Sequence, residues 1–130
     1  MTFDVDDVAR RLAFALRRFT GADLPPSPGG YADAKARAVT QYAALIADAY
    51  AAGALTETEM RREIDEIENM TRRYAGTLRG LAGAAAQAAA TTAVAVVFGA
   101  LRAGLSLAGA PLPETLSSRM TRMTETTLAA

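Results

Sequence analysis

The sequence predicts an all-α fold, and three observations predict it. Alanine fills 31 of 130 positions, and alanine is the strongest helix former. Apolar residues recur at alternating three- and four-residue intervals along most of the chain, which is the period of an amphipathic helix. Proline and glycine gather at 21–30 and 109–113, where they punctuate helices. The expected order is an amphipathic N-terminal helix (1–21), a Pro-rich linker (22–30), an αα-hairpin running into a long Ala/Gly-rich helix (31–110), and a short C-terminal helical tail (111–130).

The first helix should run from about Asp4 to Thr20. Asp4, Asp6 and Asp7 open it, Arg17 and Arg18 close it, and Gly21 follows; these charges complement the helix dipole. Val5, Val8, Leu12, Leu16 and Phe19 form its apolar stripe, and Phe14 falls on the polar side. Residues 22–30 carry three prolines and two glycines, which hold the chain extended. That spacer predicts a first helix standing apart from the rest.

The second helix should span about Tyr31 to Ala52. Tyr31, Ala38, Tyr42, Leu45, Ala49 and Ala52 share a face, with Val39, Ile46 and Tyr50 beside it, and Gly53 is placed as its C-cap. Thr56 stands three residues before Glu59, a capping box. Leu55 and Met60 form the matching hydrophobic staple. Together they predict a tight turn between two antiparallel helices.

From Glu57 onward, Met60, Ile64, Ile67, Thr71, Tyr74, Leu78 and Leu81 follow a 4-3-4-3-4-3 spacing, the seam of a coiled coil with one polar position. Glu57 with Arg61, and Glu68 with Arg72, are ion pairs one turn apart. Nothing strong stops this helix. Residues 57–108 form either one rod of about 78 Å or two helices hinged near Gly80–Gly83. In the tail, Leu116, Met120 and Met123 lie at helical spacing.

Gly80 to Leu101 is 22 residues without a charge, flanked by Arg79 and Arg102. Its length suits a bilayer, but its six strongly apolar residues are worth only about −2 to −4 kcal/mol on an insertion scale. Insertion is then close to break-even. Small residues are spaced more tellingly: Gly76, Gly80, Ala84, Ala88 and Thr92 recur every fourth position, and Gly99 with Ala103 and Ala100 with Gly104 repeat the theme. Such rows let a second helix backbone approach closely, in lipid or in a protein bundle. The row resembles the glycine-zipper pattern of pore-forming and membrane-permeating helices. The expected self-association residues are Gly76, Gly80, Ala84, Ala88, Thr92, Gly99 and Ala103.

Chemistry is sparse. There is no histidine and no cysteine, and 14 basic residues balance 14 acidic ones. A common general base, thiolate chemistry and a net field for nucleic acid are all missing. Glu59, Glu63 and Glu66 alternate with Arg61 and Arg62, a solvated salt-bridged face rather than a metal site. No catalytic residue, cofactor, metal or small-molecule substrate is expected. The N-terminus lacks a basic stretch followed by an apolar one, so no signal peptide is expected.

Thirteen of the 14 basic residues are Arg, which with the alanine content points to GC-rich codons and a bacterial or phage source. Small virion proteins of tailed phages are similar in composition: helical, Ala-rich and without catalytic residues. The expectation is a structural, self-associating component of a bacterial or phage assembly, in the virion or the cytoplasm. Its expected partners are further copies of itself and other assembly proteins. The alternatives are a small membrane protein with a span at about 80–101, and a soluble adaptor binding partner helices through the Met60–Leu81 seam.

Overall fold

Local sequence signals set most helix ends. The computed structural model describes residues 4–20, 31–76 and 83–129. Among them it contains five helices and no strand: α1 (Val5–Thr20), α2 (Tyr31–Ala51), α3 (Glu57–Gly76), α4 (Gly83–Leu107) and α5 (Glu114–Ala129). At the start of α1 the Asp4 carboxylate accepts from the N–H groups of Asp6 (3.0 Å) and Asp7 (3.2 Å), satisfying donors that have no partner inside the helix. The linker at 22–30, and Leu78, Gly80 and Leu81 among the expected site residues, lie outside the described residues.

The turn between α2 and α3 is built as the sequence requires. Gly53 takes φ +80°, where a side chain would clash. Its N–H reaches the Tyr50 carbonyl at 3.0 Å, and the Ala54 N–H reaches Ala49 at 2.8 Å, which is a Schellman cap. The capping box follows at once. The Thr56 N–H donates to Glu59 Oε1 at 3.0 Å, and the Glu59 N–H donates to Thr56 Oγ1 at 3.1 Å. Met60 is fully buried and Leu55 packs against the core. Tyr50 to Glu57 and Tyr42 to Glu63 then pair in descending and ascending order, so α2 and α3 are antiparallel. Gly109 (φ +73°) repeats the Schellman cap at the end of α4, through Gly109 N–H to Ser106 and Ala110 N–H to Leu105.

α4 packs against all four other helices. α1 and α3 each contact α2 and α4, and α5 contacts α3 and α4. The first helix therefore does not stand apart. Val5, Val8, Leu12 and Leu16 are buried, and each such side chain adds roughly 1.5–3 kcal/mol on leaving water. A linker of this length adds only a slowly growing closure cost, so the apolar stripe decides where α1 goes. Nor do residues 57–108 make one rod. Gly83 has φ +58°, so no right-handed helix runs through it, and α3 lies against α4. The Glu114 N–H bonds to the Glu57 carboxylate, which puts the end of α4 beside the start of α3.

The expected face of α2 is also corrected. Ala36, Val39, Thr40, Ala43, Ile46 and Ala47 are buried, whereas Ala38 and Ala52 are exposed and Leu45 is 66% exposed. The alanines turn inward because α2 also touches α4, the helix diagonal to it in the bundle. Only small side chains permit that approach. Phe14, the apolar residue on the polar side of α1, is 74% exposed.

Met60, Ile64, Ile67, Thr71 and Tyr74 of the seam are all buried inside the chain's own bundle. Two core positions are polar, Thr40 and Thr71. Each hydroxyl donates to the carbonyl one turn back, Ala36 and Ile67, at 2.7 Å. Neither leaves a polar atom unsatisfied. Thr71→Val should therefore leave stability within about 1 kcal/mol of the parent, whereas Ile67→Ala should lower it by roughly 2–4 kcal/mol. Urea unfolding of the two variants checks this. Equal losses would mean that the threonine hydroxyl carries more than a bond to its own helix.

Candidate association face

The 25 residues of α4 divide into two sides. Ala89, Ala93, Val94, Val97, Phe98, Leu101, Gly104 and Leu105 are buried and make the centre of the core. On the other side Ala84, Ala88, Ala95 and Ala103 are exposed, with Thr92 and Gly99 half-exposed. The small-residue row thus looks outward, whereas Ala89, Ala93 and Gly104 are small residues on the buried side. Gly76, at the end of α3, is exposed as well. No charged residue interrupts this side of α4 before Arg102.

A Cβ added at Gly99 or at Gly76 would meet nothing within 4 Å. Glycine inside a helix costs about 1 kcal/mol relative to alanine, and no neighbour in this chain needs the space that Gly99 leaves. The sequence reading overlooked Ala95. A strict every-fourth-residue count drifts around a helix of 3.6 residues per turn, and the true face steps by three from Thr92 to Ala95. α4 is also the one helix among the described residues long and apolar enough to cross a membrane, and 33% of its most apolar stretch is buried in the bundle.

Polar ties lie around this core, not in it. The Tyr42 hydroxyl donates to Glu63, and the Tyr50 hydroxyl donates to Glu57 at 3.0 Å. Glu57 also accepts the Glu114 N–H at 2.9 Å, while Arg61 donates to Thr115 at 3.3 Å. The expected Glu57–Arg61 pair is thereby replaced: both side chains are drawn toward α5 and α2, where the donors are fixed by packing. Glu68 and Arg72 do pair, at 3.2 Å. Arg119 forks onto Asp65 and Glu68, and Arg37 reaches Asp6 at 3.0 Å. The sequence gives no sign of these ties between helices, since they depend on how the helices are rotated.

The carboxylates expected to form a solvated face do separate tasks. Glu59 closes the capping box, and Glu66 pairs with Arg73 at 3.4 Å. The Thr56 N–H, and after it the Thr56 hydroxyl, hold the Glu59 carboxyl below its ordinary range. Among the described residues no three acidic side chains converge as a metal site would need. An open depression on α5 is lined by Ser117, Ser118, Thr121 and Arg122, without a carboxylate.

Tyr42 is pushed up from 10.0 to about 12, first by its hydrogen bond to Glu63, then by burial and by the charges of Glu63 and Glu66. A phenol whose pKa rises on folding stabilises the folded state fully below pH 10, and that contribution is lost between pH 10 and about 12. Unfolding curves at stepped alkaline pH should thus show a shallower loss of stability in Tyr42→Phe than in the parent; parallel profiles would remove Tyr42 from the account. In the unassociated chain, at high dilution, Gly99→Ala should raise thermal stability, by up to about 1 kcal/mol, because its methyl then enters open space. A fall in melting temperature would show that something covers Gly99 under the conditions used.

Comparison of the chain with protein-family models, with curated proteins and with solved structures gives no match.

Proposed function

We propose that this chain is a non-enzymatic structural bundle that associates with further helices, a second copy first among them, through the outward small-residue face of α4. One observation carries this reading. Gly99 weakens its own helix although, among the described residues, nothing occupies the space beside it, and it sits in a row with Ala84, Ala88, Thr92, Ala95 and Ala103. Such a row suits the close approach of another backbone. The balanced charge supports the same reading, since it sets up no strong repulsion between copies. The Arg-rich, Ala-rich composition supports a place in a bacterial or phage assembly.

A second reading has its own observation: α4 is long and apolar enough to span a bilayer. Against it stand Val94, Val97, Phe98, Leu101 and Leu105, which are buried at the bundle's centre. Moving α4 into lipid would dismantle the core that the other helices share.

Sedimentation of the purified chain over micromolar concentrations tests the first reading. Association should be present in the parent and reduced about tenfold or more by Ala88→Leu or Gly99→Leu, which place a branched side chain where close approach is needed. Helix content should stay unchanged. A parent that remains monomeric overturns self-association. Recovery of the parent only with washed membranes favours the bilayer.

A further inference from the structure

α5 is held differently from the other helices. α1 buries Val5, Val8, Leu12 and Leu16, and α3 buries Met60, Ile64, Ile67, Tyr74 and Ala75. Among the described side chains of α5 only Leu116 goes that deep, with Met120 and Met123 half-buried against the core. Several polar ties between its described residues and the bundle fall on one helix. Glu57 of α3 accepts the Glu114 N–H, Arg61 donates to Thr115, and Arg119 forks onto Asp65 and Glu68. α5 runs parallel to α3 along this edge, since Glu114, Thr115 and Arg119 meet α3 residues in ascending order.

We propose that α5 is a strap over the α3–α4 groove that opens as a unit while α1–α4 stay folded, and that the Arg119 fork is its latch. The pivot is the turn at 108–113. There Gly109 holds a left-handed conformation and Pro113 is buried, so the near end of the strap stays anchored. Beyond Leu116 the latch acts together with Met120 and Met123, which are half-buried against the core. Burial first, and the neighbouring Arg122 after it, weigh against the Arg119 charge, and Asp65 and Glu68 are the acidic partners within its reach. Arg72 shares Glu68 with Arg119, at 3.2 Å, so the latch competes for one of its acceptors. Opening uncovers apolar surface from the cluster that holds Leu116 together with Met60, Ile64, Leu101 and Leu105. Local openings of this kind belong to elements with few buried apolar contacts and many exposed polar ones.

The strap is distinct from the outward face of α4, and its test is separate. Hydrogen exchange of the full chain, read by mass spectrometry, should show the amides of 114–123 exchanging ahead of those in α3 and α4, at a rate that urea raises less steeply than it raises theirs. Arg119→Met keeps the length of the side chain and removes the fork. It should speed exchange of 114–123 by about tenfold or more and leave α1–α4 unaffected. Raising ionic strength from about 0.1 M to about 1 M should do the same to the parent in milder form, because the latch is only half-buried. The proposal is overturned if α5 and α3 exchange together with one urea dependence. It is overturned equally if Arg119→Met, or salt on the parent, speeds all helices alike.

Discussion

A helix with no charge between Gly83 and Leu101 cannot stand in water on its own, and the whole bundle is arranged around that constraint. α4 touches every other helix. α1, α2 and α3 each turn an apolar stripe to it, and α5 lies across it and α3. The alanines of α2 and α4 (Ala36, Ala43, Ala47, Ala89 and Ala93) are all buried. They let two non-adjacent helices meet, which larger residues would hold apart. One side of α4 is satisfied in this way. The other side carries small residues, which limits the apolar area left exposed.

The division between core and periphery follows from the same constraint. Among the described residues the core has two polar side chains, Thr40 and Thr71, and each hydrogen bonds within its own helix. It offers no charge partner between helices, so shape alone fixes the packing there. Orientation is set at the rim, where Tyr42 to Glu63, Tyr50 to Glu57 and Arg37 to Asp6 each join different helices. Exposed ion pairs contribute only about 0–1 kcal/mol each. Their effect is to favour one rotation of each helix over its neighbours, and the apolar core supplies the stability.

What could be read in the sequence was local. The capping box at Thr56 and Glu59, the glycine cap at Gly53, and the seam from Met60 as far as Tyr74 depend on residues within a turn or two of their neighbours, and all are found in the structure. What could not be read was the rotation of weakly patterned helices. α2 is rich in alanine on every side, so nothing in its own pattern separates Leu45, which is exposed, from Val39, which is buried. The docking of α1 was hidden because a Pro-rich linker fixes how far the chain reaches but not where the helix beyond it settles. The outward small-residue face of α4 was half legible. Its residue types were visible, but only the packing of α4 shows that the row points away from the core.

The α2–α3 turn also has a bearing on how the chain is made. Its Schellman cap, its capping box and the Tyr50–Glu57 bond join residues no more than seven apart in sequence, and contacts of such short range form fast. Synthesis runs from the N-terminus, so both helices of this hairpin emerge ahead of α4, which packs on each of them.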